Sequence, residues 1–309
     1  MVANSSNVDV SIVILNFNTR EHLRACLRAL LEEGSTSLSG GIGALQSEVL
    51  VVDNASSDAS ADMVEVEFPW VRLIRSPRNG GFAYGNNQAL GRARGSAILL
   101  LNPDAIVPRG GIRALVDRLN AQPEAGVIGP KLVREDGSMH LACRRSFPTP
   151  SVAFYRISGL SRRFPDSPRF GRYNLTFIDP DKAIEVDSVC GACMLVRRAV
   201  VNRIGLLDER FFMYGEDIDW CMRARGAGWT VRYEPSIVVR HLHGAASRKR
   251  ALRTTFHFFH AMDLFYRKHY IDRYHPLLTG VVRTAIYGAL GVAMCRTLLQ
   301  SRSQRRVGI

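Results

Sequence analysis

The sequence lacks several signatures that would assign it directly to a known class. No G-x-G-x-x-G follows the first apolar segment and no G-x-x-x-x-G-K-[ST] occurs, which excludes a standard dinucleotide fingerprint and a P-loop. Cys190 and Cys193 form a C-x-x-C, but no second C-x-x-C completes a zinc site. No basic segment precedes the short apolar run 10–17, which is not typical of a signal peptide. We therefore expect reduced, inert thiols and a protein that stays inside the cell.

The chain has enough apolar residues for a large core and an uneven distribution of charge. Its 309 residues are 46% hydrophobic, which favours one large α/β domain with an appendage. Of the net charge of +13, residues 240–309 carry +11, since they contain 13 Lys and Arg against two Asp. A basic tail indicates a polyanionic partner, either nucleic acid or an anionic membrane surface.

Short apolar runs alternate with helical patterns over the first 240 residues, which predicts a largely parallel sheet. Strands are predicted at 8–17, 47–56, 71–77, 96–104, 126–133 and 229–235, and a strand followed by a helix at 183–205. Helices are predicted at 20–33, 57–67, 85–94 and 110–122, and an irregular segment at 144–182. Ligands of such sheets bind beyond the carboxyl ends of the strands. Polar residues follow four of these strands, at Phe17-Asn18, Asp53-Asn54, Asn79-Gly80 and Asn102-Pro103-Asp104, so we expect a nucleotide cleft there.

Three acidic residues, Glu216, Asp217 and Asp219, follow Gly215 at the predicted start of a helix. Carboxylates suit the first turn of a helix, and two adjacent ones raise each other's proton affinity, which is one way to make a general base. The alternative is simple helix capping, with an Asp219–Arg223 ion pair one turn apart.

Two other carboxylates end buried strands, and two histidines follow the last one. Asp53 can accept a hydrogen bond from a nucleobase or a ribose hydroxyl, or it can cap the next helix. Asp104 can hold a divalent cation that bridges a diphosphate, although Asn102-Pro103-Asp104 also fits a type I turn. One of His241 and His243 could ligate a metal, and the alternative is a pair of polar loop histidines.

Six motifs occur in the order in which they occur in the family-2 glycosyltransferases with the GT-A fold, and the sequence resembles that family. By overall similarity it looks closest to the bacterial rhamnosyltransferase branch of the family. The motifs are VVDNASSD, NGGFAYGNNQALGRARG, LLLNPDA, VCGACMLVRR, DERFFMYGEDIDWCMR and RHLHGAAS. The resemblance covers about residues 8–250. It implies a mostly parallel central sheet flanked by helices, with a Rossmann-like nucleotide-binding half and a C-terminal helical extension.

The resemblance also implies roles for individual residues. The donor nucleotide is expected to contact Phe17, Asn18, Asp53, Asn79, Gly81, Asn87 and Asn102. A divalent metal, Mg²⁺ or Mn²⁺, is expected on Asp104 and His241, with His243 as second choice and Asn102 in place of the first Asp of the DxD-type motif. Asp217 is expected to be the catalytic base and Glu216 to orient the acceptor, with Asp219, Trp220 and Arg223 in support.

By the same resemblance the protein is an inverting enzyme that transfers a single sugar, since the QxxRW motif of processive synthases is absent. The implied donor is dTDP-L-rhamnose and the implied acceptor a polyprenyl-diphosphate-linked N-acetylglucosamine, in assembly of a cell-wall or polysaccharide linker. The alternative donors are UDP-galactofuranose, UDP-GlcNAc or another hexose donor. A non-catalytic nucleotide-binding membrane scaffold is the alternative of another class.

Residues 1–250 are thus predicted to form the glycosyltransferase domain and residues 251–309 a basic amphipathic helical tail. About 23 apolar residues follow Pro276, enough to span a bilayer, but Arg283 and Arg296 within them would be costly there. We expect interfacial helices and a peripheral protein on the cytoplasmic side of the membrane. The alternatives are a helical pair packed on the domain and a dimer interface, that is, a homo-oligomer. No nucleic-acid-binding motif is recognisable, so no nucleic-acid partner is expected.

Overall fold

The computed structural model describes residues 8–32, 45–241 and 251–299. The strands are β1 Val10–Asn16, β2 Ser47–Asp53, β3 Arg72–Arg75, β4 Ala97–Leu101, β5 Ala105–Ile106, β6 Ala125–Val133, β7 Arg144–Arg145, β8 Ile184–Val186, β9 Ser188–Val189, β10 Cys193–Arg197 and β11 Thr230–His241. The helices are α1 Arg20–Glu32, α2 Ser60–Glu67, α3 Phe82–Leu90, α4 Gly111–Asn120, α5 Pro150–Ile157, α6 Leu160–Arg163, α7 Arg198–Ile204, α8 Glu216–Gly226, α9 Ala251–His269 and α10 Pro276–Leu299.

A nine-stranded sheet forms the centre of the molecule, in the order β3-β2-β1-β4-β10-β6-β11-β5, with β8 paired to β11. The first four strands of this order are all parallel, as the near-continuous apolar runs predict. β10 runs antiparallel to both of its neighbours, β4 and β6. Because β1, β2 and β4 are parallel, their carboxyl ends meet at one edge of the sheet, where the polar residues follow.

The last strand is longer than predicted. It continues past Pro235 to His241, with a shift in pairing register between Glu234 and Val238. The irregularity accommodates the proline, which has no N–H to donate to the ladder. The prediction that the strand ends at residue 235 is wrong, and the consequence is functional, because His241 becomes the residue that pairs with Ala105 of β5.

Two other segments also differ from the prediction. Within 144–182 two short helices form, and α5 begins where Pro150 occupies the first turn and the Thr149 hydroxyl accepts a hydrogen bond from the N–H of Val152 at 3.4 Å. Within 183–205 the single predicted strand is divided into β8, β9 and β10 before α7. The short β9 pairs with β7 in a separate two-stranded ribbon.

The tail forms an antiparallel helical hairpin, α9 and α10, of which α9 packs on the domain. A second apolar cluster joins α9 to α8 and the loop before it, and it consists of Phe211, Ile218, Ala261, Leu264, Phe265, Tyr266 and Tyr270. α10 lies outside, and among the described residues its segment Pro276–Leu298 is long and apolar enough to cross a membrane by length and composition, with mean hydropathy 1.5 and only 11% of it buried. Arg283 within that segment pairs with the buried Asp263 of α9 at 2.7 Å.

Candidate active site

The carboxyl ends of β1 and β2 are tied together by Asp53, which is buried. One of its oxygens accepts from Asn16 Nδ2 at 3.0 Å and the other from the N–H of Ser56 at 3.0 Å. Asn18 has a positive φ of 53°, and its side-chain oxygen accepts from the N–H of Ser57 at 2.7 Å. Phe17, which lies between Asn16 and Asn18 in the sequence, is partly exposed. The predicted donor residues Phe17, Asn18 and Asp53 therefore lie near one another where β1 and β2 end.

The segment before α3 reaches the same edge. Asn79 accepts at one side-chain oxygen from Asn54 Nδ2 and from the N–H of Gly81, both at 3.1 Å. Gly81 has a φ of +94°, and a Cβ there would lie 2.3 Å from the carbonyl oxygen of Phe212, so only glycine fits. That carbonyl accepts from the N–H of Phe82 at 2.7 Å. The segment is thereby held directly against the loop that precedes α8.

Asn87 connects α3 to the segment 207–209. Its amide nitrogen donates to the carbonyl of Leu207 and to Glu209, both at 2.9 Å, and its amide oxygen accepts from the N–H of Leu207 at 3.1 Å. These contacts involve both ends of a buried side chain. Its expected contact with the donor nucleotide stays a prediction.

Asp104 and His241 form a buried pair, 7% and 4% exposed, because the extended β11 places His241 beside β5. His241 Nε2 lies 3.2 Å from Asp104 Oδ1 and 3.3 Å from Asn102 Nδ2. Burial would raise the pKa of Asp104, but the hydrogen bond and charge interaction with His241 outweigh it and lower that pKa. His243, the second choice as metal ligand, lies outside the described residues.

The pair is suited to a divalent cation that also has ligands outside the protein. Two donors on one octahedral ion at about 2.1 Å lie about 3 Å apart, close to the separation of Asp104 Oδ1 and His241 Nε2. Within 8–32, 45–241 and 251–299 no group of three or more His, Cys, Asp or Glu gathers around one point. A carboxylate and an imidazole alone leave several positions of the ion open, which substrate oxygens can fill.

The carboxylates of α8 follow Gly215, whose φ of +84° ends the preceding loop. Asp217 is buried, and Oδ2 accepts from Arg145 Nη2 at 2.7 Å and from the N–H of Gly191 at 3.1 Å. Its other oxygen accepts from the N–H of Ile218 at 2.8 Å. Arg145 was missed by sequence reasoning, since it lies 72 residues from its partner in an irregular segment. The carboxylate is fixed in orientation by three donors from three different segments.

Glu216, the residue before Asp217, differs from it in environment. It is 6% exposed, and burial, followed by the charge of Asp217, raises the pKa of Glu216 to about 8. No described residue hydrogen-bonds to its Oε2. Burial and the adjacent carboxylate thus both favour the protonated form of Glu216, which is the direction expected for two neighbouring carboxyl groups.

Asp217 and Asn102 are connected through the dipeptide Gly191–Ala192. Gly191 donates its N–H to Asp217, and the carbonyl of the next residue, Ala192, accepts from the N–H of Asn102 at 2.8 Å. The side chain of Asn102 in turn lies 3.3 Å from His241 Nε2. A short series of hydrogen bonds therefore links the predicted base to the predicted metal ligands.

The predicted supporting residues lie behind the carboxylate helix. The expected Asp219–Arg223 ion pair is confirmed at 2.9 Å. Asp219 is completely buried and also lies 2.7 Å from both Lys268 Nζ and His269 Nε2 of α9, two partners that the sequence did not indicate. Trp220 is a core residue, 2% exposed. These contacts hold α8 in place.

The fold is that of the GT-A glycosyltransferases. Over 97% of this chain and 78% of the other, it matches the mannosyltransferase PcManGT from Pyrobaculum calidifontis in complex with GDP-Man and Mn²⁺, with a TM-score of 0.58 and 16% identity. S. aureus TarS matches over 96% of this chain and 44% of its own, with a TM-score of 0.56 and 15% identity. At these identities the likeness establishes the fold alone.

Sequence relationships define the family. Residues 11–205 match Glycosyl transferase family 2. The chain is 33% identical over 214 residues to the N-acetylglucosaminyl-diphospho-decaprenol L-rhamnosyltransferase of Mycobacterium tuberculosis, covering 65% of this chain and 68% of that protein. It is 29% identical over 221 residues, 70% of this chain and 62% of the relative, to the low-salt glycan biosynthesis hexosyltransferase Agl10 of Haloferax volcanii. The chain belongs to glycosyl transferase family 2 and is a glycosyltransferase, so the predicted fold class, family and enzyme class are confirmed.

Proposed function

We propose that the protein transfers L-rhamnose from dTDP-L-rhamnose to a polyprenyl-diphosphate-linked N-acetylglucosamine, with inversion at the anomeric carbon. The observation that carries the proposal is the Gly191–Ala192 dipeptide, which bonds to the Asp217 carboxylate at one residue and to Asn102, the neighbour of His241, at the next. The mycobacterial relative, named for this donor sugar and this type of acceptor, supports the choice of substrates.

In this reaction Asp217 takes the proton of the acceptor hydroxyl as that oxygen attacks the anomeric carbon. The bond to the diphosphate breaks on the opposite face, so one displacement inverts the configuration and no covalent enzyme intermediate is needed. Arg145 and the N–H of Gly191 hold the carboxylate in the orientation required for proton transfer. Mg²⁺ or Mn²⁺ on Asp104 and His241 would offset charge on the departing diphosphate.

The remaining residues of the cleft bind the two substrates. Asp53, with Phe17 and Asn18 beside it, is assigned to the nucleoside, and the Asn79–Gly81 segment to the rest of the nucleotide. Glu216 is assigned to the acceptor sugar, because a protonated carboxyl group can both donate and accept hydrogen bonds with hydroxyl groups.

A panel of nucleotide-sugars tests the proposal. Purified protein should transfer sugar from dTDP-L-rhamnose to a short-chain prenyl-diphosphate GlcNAc, and removal of divalent metal with EDTA should reduce the rate at least about a hundredfold, recoverable with Mn²⁺ or Mg²⁺. Formation of the glycosylated lipid product is measured by mass spectrometry. Transfer from a UDP-sugar with none from dTDP-L-rhamnose would assign a UDP-sugar as the donor instead. Nucleotide binding without any metal-dependent turnover would favour the scaffold instead.

We further propose that residues 1–250 act as the catalytic unit and that the helical tail rests on the cytoplasmic face of the membrane, where a polyprenyl-linked acceptor is held. The outer face of α10 supports this, since Leu277, Val281 and Val292 are 76%, 66% and 54% exposed. Arg283, the charge in the middle of this helix, is turned to Asp263 of α9. An interfacial helix has one apolar face, and α10 fits this description because its central charge, Arg283, is paired on the opposite side.

Vesicle binding tests the membrane contact. Val281→Asp should weaken binding to phosphatidylglycerol vesicles about tenfold or more in co-sedimentation, because it places a charge on the face that meets the acyl chains. Val66→Asp is the matched control, since Val66 is an exposed valine (81%) on α2. Equal vesicle binding by the two variants would exclude this face of α10 as the membrane contact.

A further inference from the structure

The first half of α9 carries a basic and aromatic cluster formed by Arg253, Phe256, His257 and His260. Their spacing of three, four and seven residues puts them on one face of the helix. Arg253 Nε donates to His257 Nε2 at 3.3 Å, and the Phe256 and His260 rings are stacked with centroids 5.7 Å apart. We call these four residues the α9 cluster.

The charge of the α9 cluster is not balanced by the described residues. The ion pairs found among them include none to Arg253, His257 or His260, whereas Arg267 on the same helix pairs with Asp263 at 3.0 Å. Burial, then the nearby Arg253 and His260, lowers the pKa of His257, so its surroundings oppose further positive charge. An anion bound between these side chains would relieve that repulsion.

The α9 cluster is connected to the active site through Phe212. The Phe212 ring is stacked on His257 with centroids 4.2 Å apart, and the Arg253 guanidinium lies 4.8 Å from its centre. The backbone carbonyl of the same residue accepts from the N–H of Phe82 and closes against Gly81. Phe212 therefore contacts both the α9 cluster, through its ring, and the segment assigned to the donor nucleotide, through its carbonyl.

An exposed aromatic ring lies beside the apolar second half of α10. Asp263 of α9 lies opposite Arg283 and Tyr287 of α10, and Tyr266, later in α9, lies opposite Thr279, earlier in α10, so the helices are antiparallel. Phe256 is two turns before Asp263, so it lies level with the second half of α10. The Phe256 residue is 44% exposed.

We propose that the α9 cluster binds the diphosphate of the lipid-linked acceptor, with the first isoprene units lying on the exposed ring of Phe256. This assignment rests on the proposed function, and it adds a site for the acceptor's lipid end that is separate from the Asp104–His241 pair. Arg253 supplies charge-assisted hydrogen bonds to phosphate oxygens, a histidine ring N–H can add a further hydrogen bond, and the Phe256 ring packs on the prenyl chain. The acceptor sugar would then extend past Phe212 toward Glu216 and Asp217.

Binding of farnesyl diphosphate, a sugar-free probe, to the full-length protein in detergent micelles tests the assignment by calorimetry. Arg253→Gln should raise the Kd about tenfold to a hundredfold, and Arg253→Lys should restore part of the loss. Arg273→Gln, a change of an exposed arginine at the other end of α9, should leave the Kd within about twofold. Because no donor is present, these results do not depend on which sugar the enzyme transfers.

Several results would overturn the assignment. An unchanged Kd in Arg253→Gln would remove the cluster from the site, and complete displacement of farnesyl diphosphate by dTDP would put the probe in the donor site. An equal loss of binding to phosphatidylglycerol vesicles in Arg253→Gln would indicate a general headgroup surface. Binding of RNA or DNA that Arg253→Gln abolishes would indicate a nucleic-acid surface instead.

Discussion

Replacing Asp217 with asparagine is expected to reduce sugar transfer about a thousandfold. General-base catalysis contributes roughly 10²- to 10⁴-fold, and an amide cannot accept the proton of the acceptor hydroxyl. The amide oxygen can still accept hydrogen bonds from Arg145 and Gly191, so the site should keep its shape. The kcat should fall while the donor KM changes by less than about threefold, measured with the nucleotide-sugar that the wild-type enzyme uses.

Two controls separate the loss of the base from the loss of the fold. Asp217→Asn removes the negative charge that pairs with Arg145, so some stability should be lost. Calorimetric binding of the nucleotide donor therefore serves to show that the variant is folded. Asp136→Asn, in an exposed loop, is the matched carboxylate change and should leave kcat unchanged. A folded Asp217→Asn protein with normal turnover would remove Asp217 from the role of base.

The largest effect on stability is expected at Asp219, where Asp219→Ala should lower the free energy of unfolding by about 3 to 5 kcal/mol. The carboxylate is completely buried, and it pairs with Arg223 of α8 and Lys268 of α9 and contacts His269 of α9. Its removal leaves positive groups close together with less negative charge between them. Urea unfolding followed by circular dichroism measures the loss.

A matched ion pair on the surface makes the comparison quantitative. Asp62 of α2 pairs with Arg75 at 2.7 Å, but these side chains are 71% and 48% exposed. Asp62→Ala should therefore cost no more than about 1 kcal/mol. A similar small loss in Asp219→Ala would mean that the hairpin is held by its apolar contacts alone.

The parts of the fold and site that were predicted from sequence depend on local patterns. Apolar runs that end in a polar residue identified the ends of β1, β2 and β4, and with them Asp53 and Asn102. Glycine followed by carboxylates identified the start of α8, and the spacing of four identified the Asp219–Arg223 pair. Each of these signals lies within a few residues, so the chain's own periodicity carries it.

The parts that were missed depend on distant pairing. Arg145 reaches Asp217 across 72 residues, and His269 reaches Asp219 across 50, with no spacing rule to connect them. The position of His241 depends on the strand continuing beyond Pro235, although a proline is ordinarily a reason to end a strand. Local patterns cannot show such contacts, since tertiary packing decides them.

The ionic connection between α8 and α9 also bears on how this enzyme can diversify. Asp219 belongs to the helix that begins with the proposed base, while Lys268 and His269 belong to the tail. A tail grafted from another glycosyltransferase would have to bring matching partners to the same two positions, or leave a buried negative charge with Arg223 as its chief partner. An exchange of the tail should therefore be tolerated only together with compensating changes at these positions.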